Sequence, residues 1–518
     1  MNYSFKRDFY FEVKKMLDKT NVVFLLGPRK CGKTVCMLQL NEEYSEAEYV
    51  NFKIYNEKEA YDKFDEINEA ISSDSKKIFF LDEITYCPSP EIQIYKIADA
   101  YTRTANKNTK IIFAGSQSVA LDSWGHRAFA GSAGFIRPNF LTYNEWLKYK
   151  NITEISEDTY EQYLYGVSDF YNFTTLEDYL KGCLDETIIS NNNTSNYLLG
   201  NDCHLIDTGI LIDICYATLF TLHNQVNARG FSNADKLTDA IKAYFSDVCR
   251  QIGTQQIGEL INNSFAKKYT DFHTKDLATI KQALLFLYQC DLITLTPVTD
   301  NFEELPNLYY DLWHDTDKIN YKEDLFRKYN ICIKYPLFYV TILKDILKEY
   351  MPEKLPRMLL GSIVECQIRG LLSDDSCIEY HDMNDKEIDY VNLTGKFAME
   401  MTISNKASDK VNFHLLPDDY YKILLTKDIL QKKDEFAQIP YYQLIYKFTE
   451  NKEYDFFSDK EVEANSSLSD MLKYIPEGTK VGAALNNAGD DDKSEDKKET
   501  ADGSLDENDS SDEVPKGE

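Results

Sequence analysis

Residues 22–34 read VVFLLGPRKCGKT, and this stretch decides the fold of the first part of the chain. A run of five apolar residues precedes the pattern G-x-x-x-x-G-K-T, which extends from Gly27 to Thr34. The pattern predicts a buried strand, a glycine-containing turn and a helix that begins at Lys33. Because such a turn surrounds an anion with backbone N–H groups at a helix N-terminus, the stretch predicts a phosphate-binding loop.

The whole loop is predicted to contact a nucleotide. Its members are Gly27, Pro28, Arg29, Lys30, Cys31, Gly32, Lys33 and Thr34. We expect the Lys33 ammonium to reach the β- and γ-phosphates of ATP and the Thr34 hydroxyl to ligate Mg²⁺. Two interpretations of Cys31 stay open. The nearby lysines could favour a thiolate that is sensitive to oxidation, or the thiol could be an inert side chain at a variable loop position.

A second stretch, residues 76–83 (KKIFFLDE), predicts the site that supports hydrolysis. It reads as a buried strand that ends in two carboxylates, with Asp82 supporting Mg²⁺ and Glu83 polarising the attacking water. Acidic pairs are common at strand ends. The position about fifty residues after Lys33 nevertheless favours the functional interpretation.

A third apolar run, residues 110–115, leads into Ser116. Its small polar side chain would face the γ-phosphate from a strand end, although a glycine-serine turn without a special role is the alternative. With a further strand at residues 49–52, the alternating pattern predicts a parallel sheet that has helices on both faces. Ligands of such sheets bind at the carboxyl ends of the strands, where all three motifs fall.

The order of these motifs, G-P-R-x-x-G-K-T, then F-F-L-D-E-I, then F-A-G-S-x-S, resembles a prokaryotic family of AAA+ superfamily ATPases. A following stretch shares the resemblance through Pro138, Leu141, Glu145, Trp146 and Leu147. The resemblance implies an α/β P-loop NTPase domain at residues 1–150, then a helical region at 151–350, then an α/β restriction-endonuclease-like domain at 351–460. Arg29 inside the loop is characteristic of this family.

The chain departs from the family where an arginine is usual, because an A-G-R segment is replaced by Ala130-Gly131-Ser132. Arg127 and Arg137 flank this position, and either could stabilise the transferring phosphoryl group as a catalytic residue. An arginine from a neighbouring subunit of a homo-oligomer is an equal alternative, as is a solvated surface role for each.

The helical region is expected to contain a winged helix at about 253–298. A helix at 275–288 and a strand at 292–296 would form part of it, and Lys275, Thr279 and Gln282 would share one face of the helix. That face could contact DNA. A packing module without DNA contact is the favoured interpretation, because neither the fold nor three polar residues specify DNA.

In the C-terminal region the resemblance implies that Glu365, Asp389 and Glu400 converge on a divalent metal. The family motif E-x-K reads Glu400-Met401-Thr402 in this chain. A threonine cannot replace the lysine that helps to place the attacking water. The sequence therefore predicts a retained nuclease fold whose chemistry is lost or weakened.

The formal net charge of −29 is partly explained by residues 490–518, with thirteen acidic and four basic residues. The segment at 486–518 is expected to be a disordered acidic tail that solubilises the chain or binds basic partners. The rest of the chain is also acidic, which argues against a broad nonspecific nucleic-acid surface.

Eleven cysteines are dispersed without a C-x-x-C pair, which indicates reduced thiols rather than disulfides or zinc. The sequence has neither an uncharged run of about 18–20 apolar residues nor a signal-peptide pattern at its start. We therefore expect a cytoplasmic protein without a membrane partner.

Three functions follow as hypotheses. The first is an ATPase that uses ATP and Mg²⁺ and whose nucleotide state controls the winged-helix and nuclease-like regions, with an unidentified protein partner. The second is a metal-dependent nuclease with an accessory ATPase, against which Thr402 counts. The third is an ATP-binding switch that barely hydrolyses, against which Glu83 counts.

Overall fold

The fold is described by a computed structural model. It covers residues 4–104, 108–171, 175–193, 206–221, 276–302, 329–347, 351–355, 357–372, 377–383, 386–401, 411–432 and 436–449. The expected acidic tail, Thr402 and residues 253–275 of the expected winged helix lie outside this part of the chain.

The first part of the chain forms a parallel sheet of five strands in the order β2-β3-β4-β1-β5. This arrangement confirms the predicted parallel sheet of a P-loop NTPase fold. Strand β1 lies between β4 and β5, so the phosphate-loop strand is an interior strand of the sheet. The strands are β1 (Val22–Leu25), β2 (Ala47–Asn51), β3 (Ile78–Asp82), β4 (Lys110–Ala114) and β5 (Gly134–Ile136).

Helices cover both faces of this sheet, so that the interior strands β1 and β3 are buried along their whole length. In β1, Val22 and Phe24 belong to one apolar cluster, whereas Val23 and Leu25 belong to another. The helices α3 (Glu57–Ser72), α4 (Pro90–Thr104) and α5 (Ser118–Phe129) contribute to the first cluster. The helices α1 (Asp8–Lys19) and α2 (Lys33–Glu43) contribute to the second.

The second half contains an eight-stranded mixed sheet in the order β12-β13-β11-β10-β9-β8-β6-β7. Its strands are β6 (Ile293–Thr299), β7 (Tyr329–Ile333), β8 (Cys377–His381), β9 (Glu387–Asn392), β10 (Phe397–Met401), β11 (Tyr421–Thr426), β12 (Gln431–Lys432) and β13 (Ala437–Pro440). Strand β6 pairs with β8 through Val298 and Glu379. The strand expected in a winged helix is therefore part of this sheet, which begins before residue 351.

A set of helices surrounds this second sheet and joins it to the first. They are α6 (Tyr143–Lys150), α7 (Glu157–Tyr171), α8 (Leu176–Asn193), α9 (Thr208–Thr221), α10 (Leu277–Gln289), α11 (Pro336–Leu347), α12 (Arg357–Leu372) and α13 (Tyr441–Thr449). One apolar cluster includes buried residues from Phe140 to Phe448, so these helices and the sheet share a core. In α10, Thr279 is buried and donates a hydrogen bond to Asp276. Thr279, one of the three residues expected to contact DNA, is therefore not accessible on the surface.

In the described part of the chain, no helix combines the length and apolar character that a membrane span requires.

Candidate nucleotide site and C-terminal carboxylate cluster

The phosphate loop connects β1 to α2 at the carboxyl edge of the first sheet. Gly32 adopts φ 107° immediately before the helix, a conformation that glycine reaches without the steric cost of a Cβ atom. Lys30 adopts φ 63°, which is unusual for a residue with a side chain. The loop therefore turns sharply twice before α2 begins, as a loop around an anion requires.

The Lys33 side chain is buried inside this turn. Its ammonium donates hydrogen bonds to the carbonyl oxygens of Gly27 at 2.6 Å and Pro28 at 2.9 Å, and only 7% of the residue is exposed. The loop backbone satisfies the ammonium without a carboxylate partner in these contacts. A fixed positive charge thus lies where the sequence predicts phosphate groups.

Asp82 ends strand β3 beside the start of α2. Its Oδ2 atom accepts hydrogen bonds from the Thr34 hydroxyl at 2.7 Å and the Tyr49 hydroxyl at 2.8 Å. The Asp82 carboxylate is buried. Burial of Tyr49, and next the nearby Asp82 charge, raise the pKa of the Tyr49 hydroxyl. The structure therefore brings together the two residues predicted to hold Mg²⁺, and it adds Tyr49. The sequence did not single out Tyr49, although it lies in the further strand predicted at residues 49–52.

Glu83 follows Asp82 at the sheet edge and is half-buried. It adopts φ 53° and ψ 41°, and its backbone N–H donates to Asp82 Oδ1 at 3.1 Å. A left-handed conformation at a residue other than glycine costs free energy and is often found at functional sites. The left-handed turn thus ends the strand at Asp82 and places Glu83 outside it.

The loop after β4 lies against the phosphate loop. Ser118 Oγ accepts a hydrogen bond from the Gly27 N–H at 2.6 Å and donates one to the Gly27 carbonyl oxygen at 2.9 Å. Within the described residues, Ser116 Oγ and both amide atoms of Gln117 are buried without a hydrogen-bond partner. They line a small cavity that Phe286 of α10 also lines. Ser118 therefore fixes the loop, while Ser116 faces a cavity beneath the helices of the second half.

Cys31 is fully buried, and this burial raises the pKa of its thiol although Lys33 and Arg7 favour the thiolate. The interpretation of Cys31 as an inert side chain is therefore favoured over that of an oxidation-sensitive thiolate. The Arg29 guanidinium occupies the space that a Cβ atom on Gly182 of α8 would take. Arg29 thus contacts a helix outside the first sheet.

The two flanking arginines form ion pairs on the surface of the first domain. Arg127 lies 3.3 Å from Glu91, and Arg137 lies 2.7 Å from Asp122. Arg137 directly precedes Pro138, whose carbonyl oxygen packs against Gly27. Of the two, Arg137 is therefore the one whose neighbour in sequence contacts the phosphate loop.

Glu365 of α12 lies close enough to Asp389 of β9, and Asp389 to Glu400 of β10, for their charges to influence one another. Burial, followed by the Glu365 charge, raises the pKa of Asp389 to about 7, and burial followed by the Asp389 charge raises that of Glu400 to about 10. Arg369 Nε donates to Glu365 Oε1 at 2.9 Å. The cluster thus contains an internal guanidinium beside the three predicted carboxylates.

Sequence reasoning missed Glu379, the most heavily bonded carboxylate of this cluster. It accepts hydrogen bonds from Arg369 Nη2 at 2.8 Å and Asn330 Nδ2 at 2.6 Å, and His381 Nε2 lies 2.7 Å from its other oxygen. The register between β8 and β9 shifts here, so that Asp389 and Tyr390 together oppose Glu379. Such a bulge redirects side chains, and no pattern in the sequence indicates it.

Glu379, His381 and Glu387 form a group whose ligand atoms all lie within 4.8 Å of one another. Glu379 and His381 are two residues apart on β8 and so share one face of the strand. Glu387 of β9 pairs with His381 across the two strands. One imidazole and two carboxylates are ligands suited to a divalent transition metal.

Comparison with known proteins assigns the first sheet. Residues 19–147 match the family model described as an AAA domain. This segment is therefore similar to an AAA domain. The match supports the predicted ATP-binding AAA+ domain in this part of the chain. No curated protein matches the chain.

A solved structure titled "Crystal structure of DNA replication initiation factor" is 14% identical and has a TM-score of 0.21. The alignment covers 53% of this chain and 84% of that chain. A likeness of this strength supports no inference about this chain. The restriction-endonuclease-like domain stays a prediction.

Proposed function

We propose that the chain is a Mg²⁺-dependent ATPase whose nucleotide state controls its C-terminal half. The observation that carries this proposal is the convergence of Lys33, Thr34, Asp82 and Glu83 at one sheet edge of an AAA domain. A buried ammonium supplies positive charge for phosphates, and a carboxylate with a neighbouring hydroxyl supplies oxygen ligands for Mg²⁺.

The residues fit MgATP. Thr34 and Asp82 would hold the cation, which neutralises charge on the phosphates when it is bound. Lys33 would bind the β- and γ-phosphates, and the backbone N–H groups of the loop would orient them. Glu83 would accept a proton from the attacking water and orient it. Arg137 or Arg127 would stabilise the developing charge, or an arginine of a second subunit would do so.

Lys33→Ala should abolish measurable ATP binding at concentrations that saturate the parent, while the fold is kept. Lys33 contacts only loop atoms in the described hydrogen bonds, so its loss should not unfold the sheet. Isothermal calorimetry with ATP and Mg²⁺ measures the effect. Lys76→Ala is the control, since Lys76 is 81% exposed and pairs only with Glu46 at the surface in the described contacts. Equal ATP affinity in parent and Lys33→Ala would contradict the assignment.

Control of the C-terminal half is supported by packing next to the phosphate loop. Phe140 lies two residues after Pro138, and its ring packs against Tyr335 at 4.9 Å and Phe338 at 5.4 Å. Tyr335 follows β7 of the second sheet, and its hydroxyl donates to Asn139 Oδ1 at 3.4 Å. A movement of the phosphate loop and the neighbouring segment would therefore alter contacts with residues of the second sheet and its helices.

The nuclease alternative is disfavoured by Arg369. In the carboxylate cluster its guanidinium contacts Glu365 and Glu379, which supplies positive charge that a metal would otherwise provide. Glu365, the predicted metal ligand that Arg369 contacts, therefore fits a catalytic cation poorly. We expect no cleavage of DNA or RNA by the purified protein with Mg²⁺ or Mn²⁺, with or without ATP. Cleavage that disappears in Asp389→Ala would instead establish the nuclease.

A further inference from the structure

Two carbonyl groups of the phosphate loop are bound by residues from outside the five strands and the loop itself. Arg7 Nη1, just before α1, donates to the Cys31 carbonyl oxygen at 3.0 Å. The Tyr179 hydroxyl, on α8, donates to the Arg29 carbonyl oxygen at 3.1 Å. Both side chains are buried, with exposed fractions of 8% and 1%. The loop is thus held from two separate parts of the chain.

These contacts bear directly on anion binding. A trans peptide group is planar, and its C=O and the following N–H point in opposite directions. Fixing the carbonyls of Arg29 and Cys31 on the outer side of the loop therefore directs the N–H groups of Lys30 and Gly32 to the opposite side. Converging N–H groups are what a phosphate-binding loop offers its ligand.

Arg7 is itself held rigidly. Its Nε and Nη2 atoms bind both oxygens of Glu145 at 2.8 Å and 2.6 Å, and Nη2 also donates to the Asn139 carbonyl oxygen at 3.0 Å. Its Nη1 atom lies 3.2 Å from the Tyr171 hydroxyl of α7. Since Glu145 also closes a capping box at the start of α6, the guanidinium has a fixed orientation relative to α6 and α7.

Helix α8 meets the loop a second time. The Arg29 guanidinium lies against Gly182, which is three residues, or nearly one helical turn, after Tyr179. A side chain at residue 182 would have to displace Arg29. One face of α8 therefore contacts both the backbone and the side chain of Arg29.

We propose that Arg7 and Tyr179 are positioning residues of the nucleotide site, and that α8 responds to bound nucleotide through Arg29. They act on the loop and not on the reacting atoms. This inference rests on the proposed ATPase function and adds the route by which the nucleotide is linked to the helices. Because linkage is reciprocal, a change at α8 must alter nucleotide affinity if nucleotide alters α8.

Matched tyrosine variants test the positioning role. Tyr179→Phe removes the hydroxyl that binds the loop, whereas Tyr143→Phe removes an equally buried hydroxyl that contacts Thr159 at 2.6 Å. We expect Tyr179→Phe to raise the KM for ATP about fivefold, the fold-change that corresponds to one buried hydrogen bond, with kcat within about twofold. Tyr143→Phe should leave KM unchanged. Arg7→Lys should raise KM further, because lysine lacks the planar fork.

Matched glycine variants test the response of α8. Gly182→Ala places a methyl group where Arg29 lies, whereas in Gly166→Ala on α7 the new Cβ is 3.5 Å from Trp146, an ordinary contact. Hydrogen exchange of the α8 amides is measured with and without a nonhydrolysable ATP analogue. We expect the analogue to slow exchange at residues 176–185 in the parent and in Gly166→Ala, but not in Gly182→Ala.

The outcomes separate the two proposals. A parent protein that does not bind ATP would overturn the ATPase assignment. A parent that binds ATP, together with a Tyr179→Phe variant whose KM equals that of Tyr143→Phe, would overturn the positioning role alone. Exchange in α8 that is insensitive to the analogue in the parent would overturn the response of α8. Tyr179→Phe and Gly182→Ala keep the test decisive if Arg7→Lys does not fold.

Discussion

The two sheets of this molecule treat their buried carboxylates differently. In the first sheet, Asp82 is bound by the hydroxyls of Thr34 and Tyr49, which are neutral donors. At the second sheet, Glu365 of α12 and Glu379 of β8 are bound by the guanidinium of Arg369. Neutral donors leave the negative charge of a carboxylate available to a cation, whereas an arginine compensates it permanently. The comparison therefore favours Asp82, over Glu365 and Glu379, as a ligand for the Mg²⁺ of the proposed ATPase.

The largest expected effect comes from removing the internal cation of the second sheet. Arg369→Met should destabilise this region by about 3–5 kcal/mol, because buried carboxylates would lose their partner. Urea unfolding monitored by near-UV circular dichroism, together with scanning calorimetry, measures the loss. Arg103→Met is the control, since Arg103 is 75% exposed and pairs with Asp99 along one helix. Its loss should cost less than about 0.5 kcal/mol.

An Arg369→Met variant that is as stable as the parent would contradict the contrast between the two sheets. It would mean that the carboxylates of the second sheet are protonated or hydrated, so that no permanent counter-charge is needed. The raised pKa values of Asp389 and Glu400 make protonation the first alternative to examine.

The next effect concerns chemistry in the first sheet. Glu83→Gln should reduce ATP turnover by roughly 10²-fold or more, the scale for loss of a general base, with ATP affinity retained. Phosphate release under saturating ATP measures turnover, and calorimetry measures affinity. Turnover equal to that of the parent would transfer the role of base to another residue. The variant should also remain in the ATP-bound form, which suits it for capturing a protein partner.

Much of the first sheet could be predicted from the sequence because its signals are local. The residues of the loop and the strand that ends at Asp82 are each contiguous, and the apolar runs of a parallel sheet are unmistakable. Glycine at position 32 is required by a left-handed turn before α2, and the motif itself contains it.

The contacts that hold the loop could not be predicted, because they join distant positions. Arg7 is 24 residues from Cys31 and 138 from Glu145. Tyr179 is 150 residues from Arg29. In a single sequence these residues are an ordinary arginine and an ordinary tyrosine. The sheet to which residues 292–296 belong could not be predicted for a related reason, since only the pairing of β6 with β8 shows it, and the winged helix itself stays a prediction.

The pH dependence of stability provides a further test of the carboxylates near the second sheet. Burial, as the largest cause, raises the pKa of Glu365 and of Asp389 to about 7 in the folded protein. The folded state then binds more protons than the unfolded state, so this stability is present at low pH and is lost as pH rises through 7. Each group contributes at most about 1.4 kcal/mol per pH unit. We expect a lower melting temperature at pH 8 than at pH 5.5.

Asp389→Asn should reduce this pH dependence, because an amide does not titrate. Glu379 does not contribute in this window, since its pKa is lowered to about 2 and its stabilisation is lost only in strong acid. Glu161 of α7, whose pKa burial raises to about 7, and Glu400, whose pKa burial raises to about 10, contribute in the same direction and remain in the variant. A melting temperature that rises between pH 5.5 and pH 8 would contradict the assigned protonation states.

The smallest expected effect tests whether neutral donors prepare Asp82 for a cation. Tyr49→Phe removes one of the two hydroxyls that bind Asp82 Oδ2, while the Thr34 hydroxyl remains. Losing one hydrogen bond to a charged group costs about 1.5–3 kcal/mol where no other donor replaces it, and Mg²⁺ itself would compensate much of this in the loaded site. The concentration of Mg²⁺ that gives half-maximal ATPase activity should therefore rise by only about two- to fivefold, with kcat nearly unchanged. Activity measured across a Mg²⁺ titration tests this, with Tyr61→Phe on the exposed side of α3 as the control. If kcat falls as strongly in Tyr49→Phe as in Glu83→Gln, Tyr49 takes part in the chemical step. Its proposed role in preparing Asp82 for a cation would then be wrong.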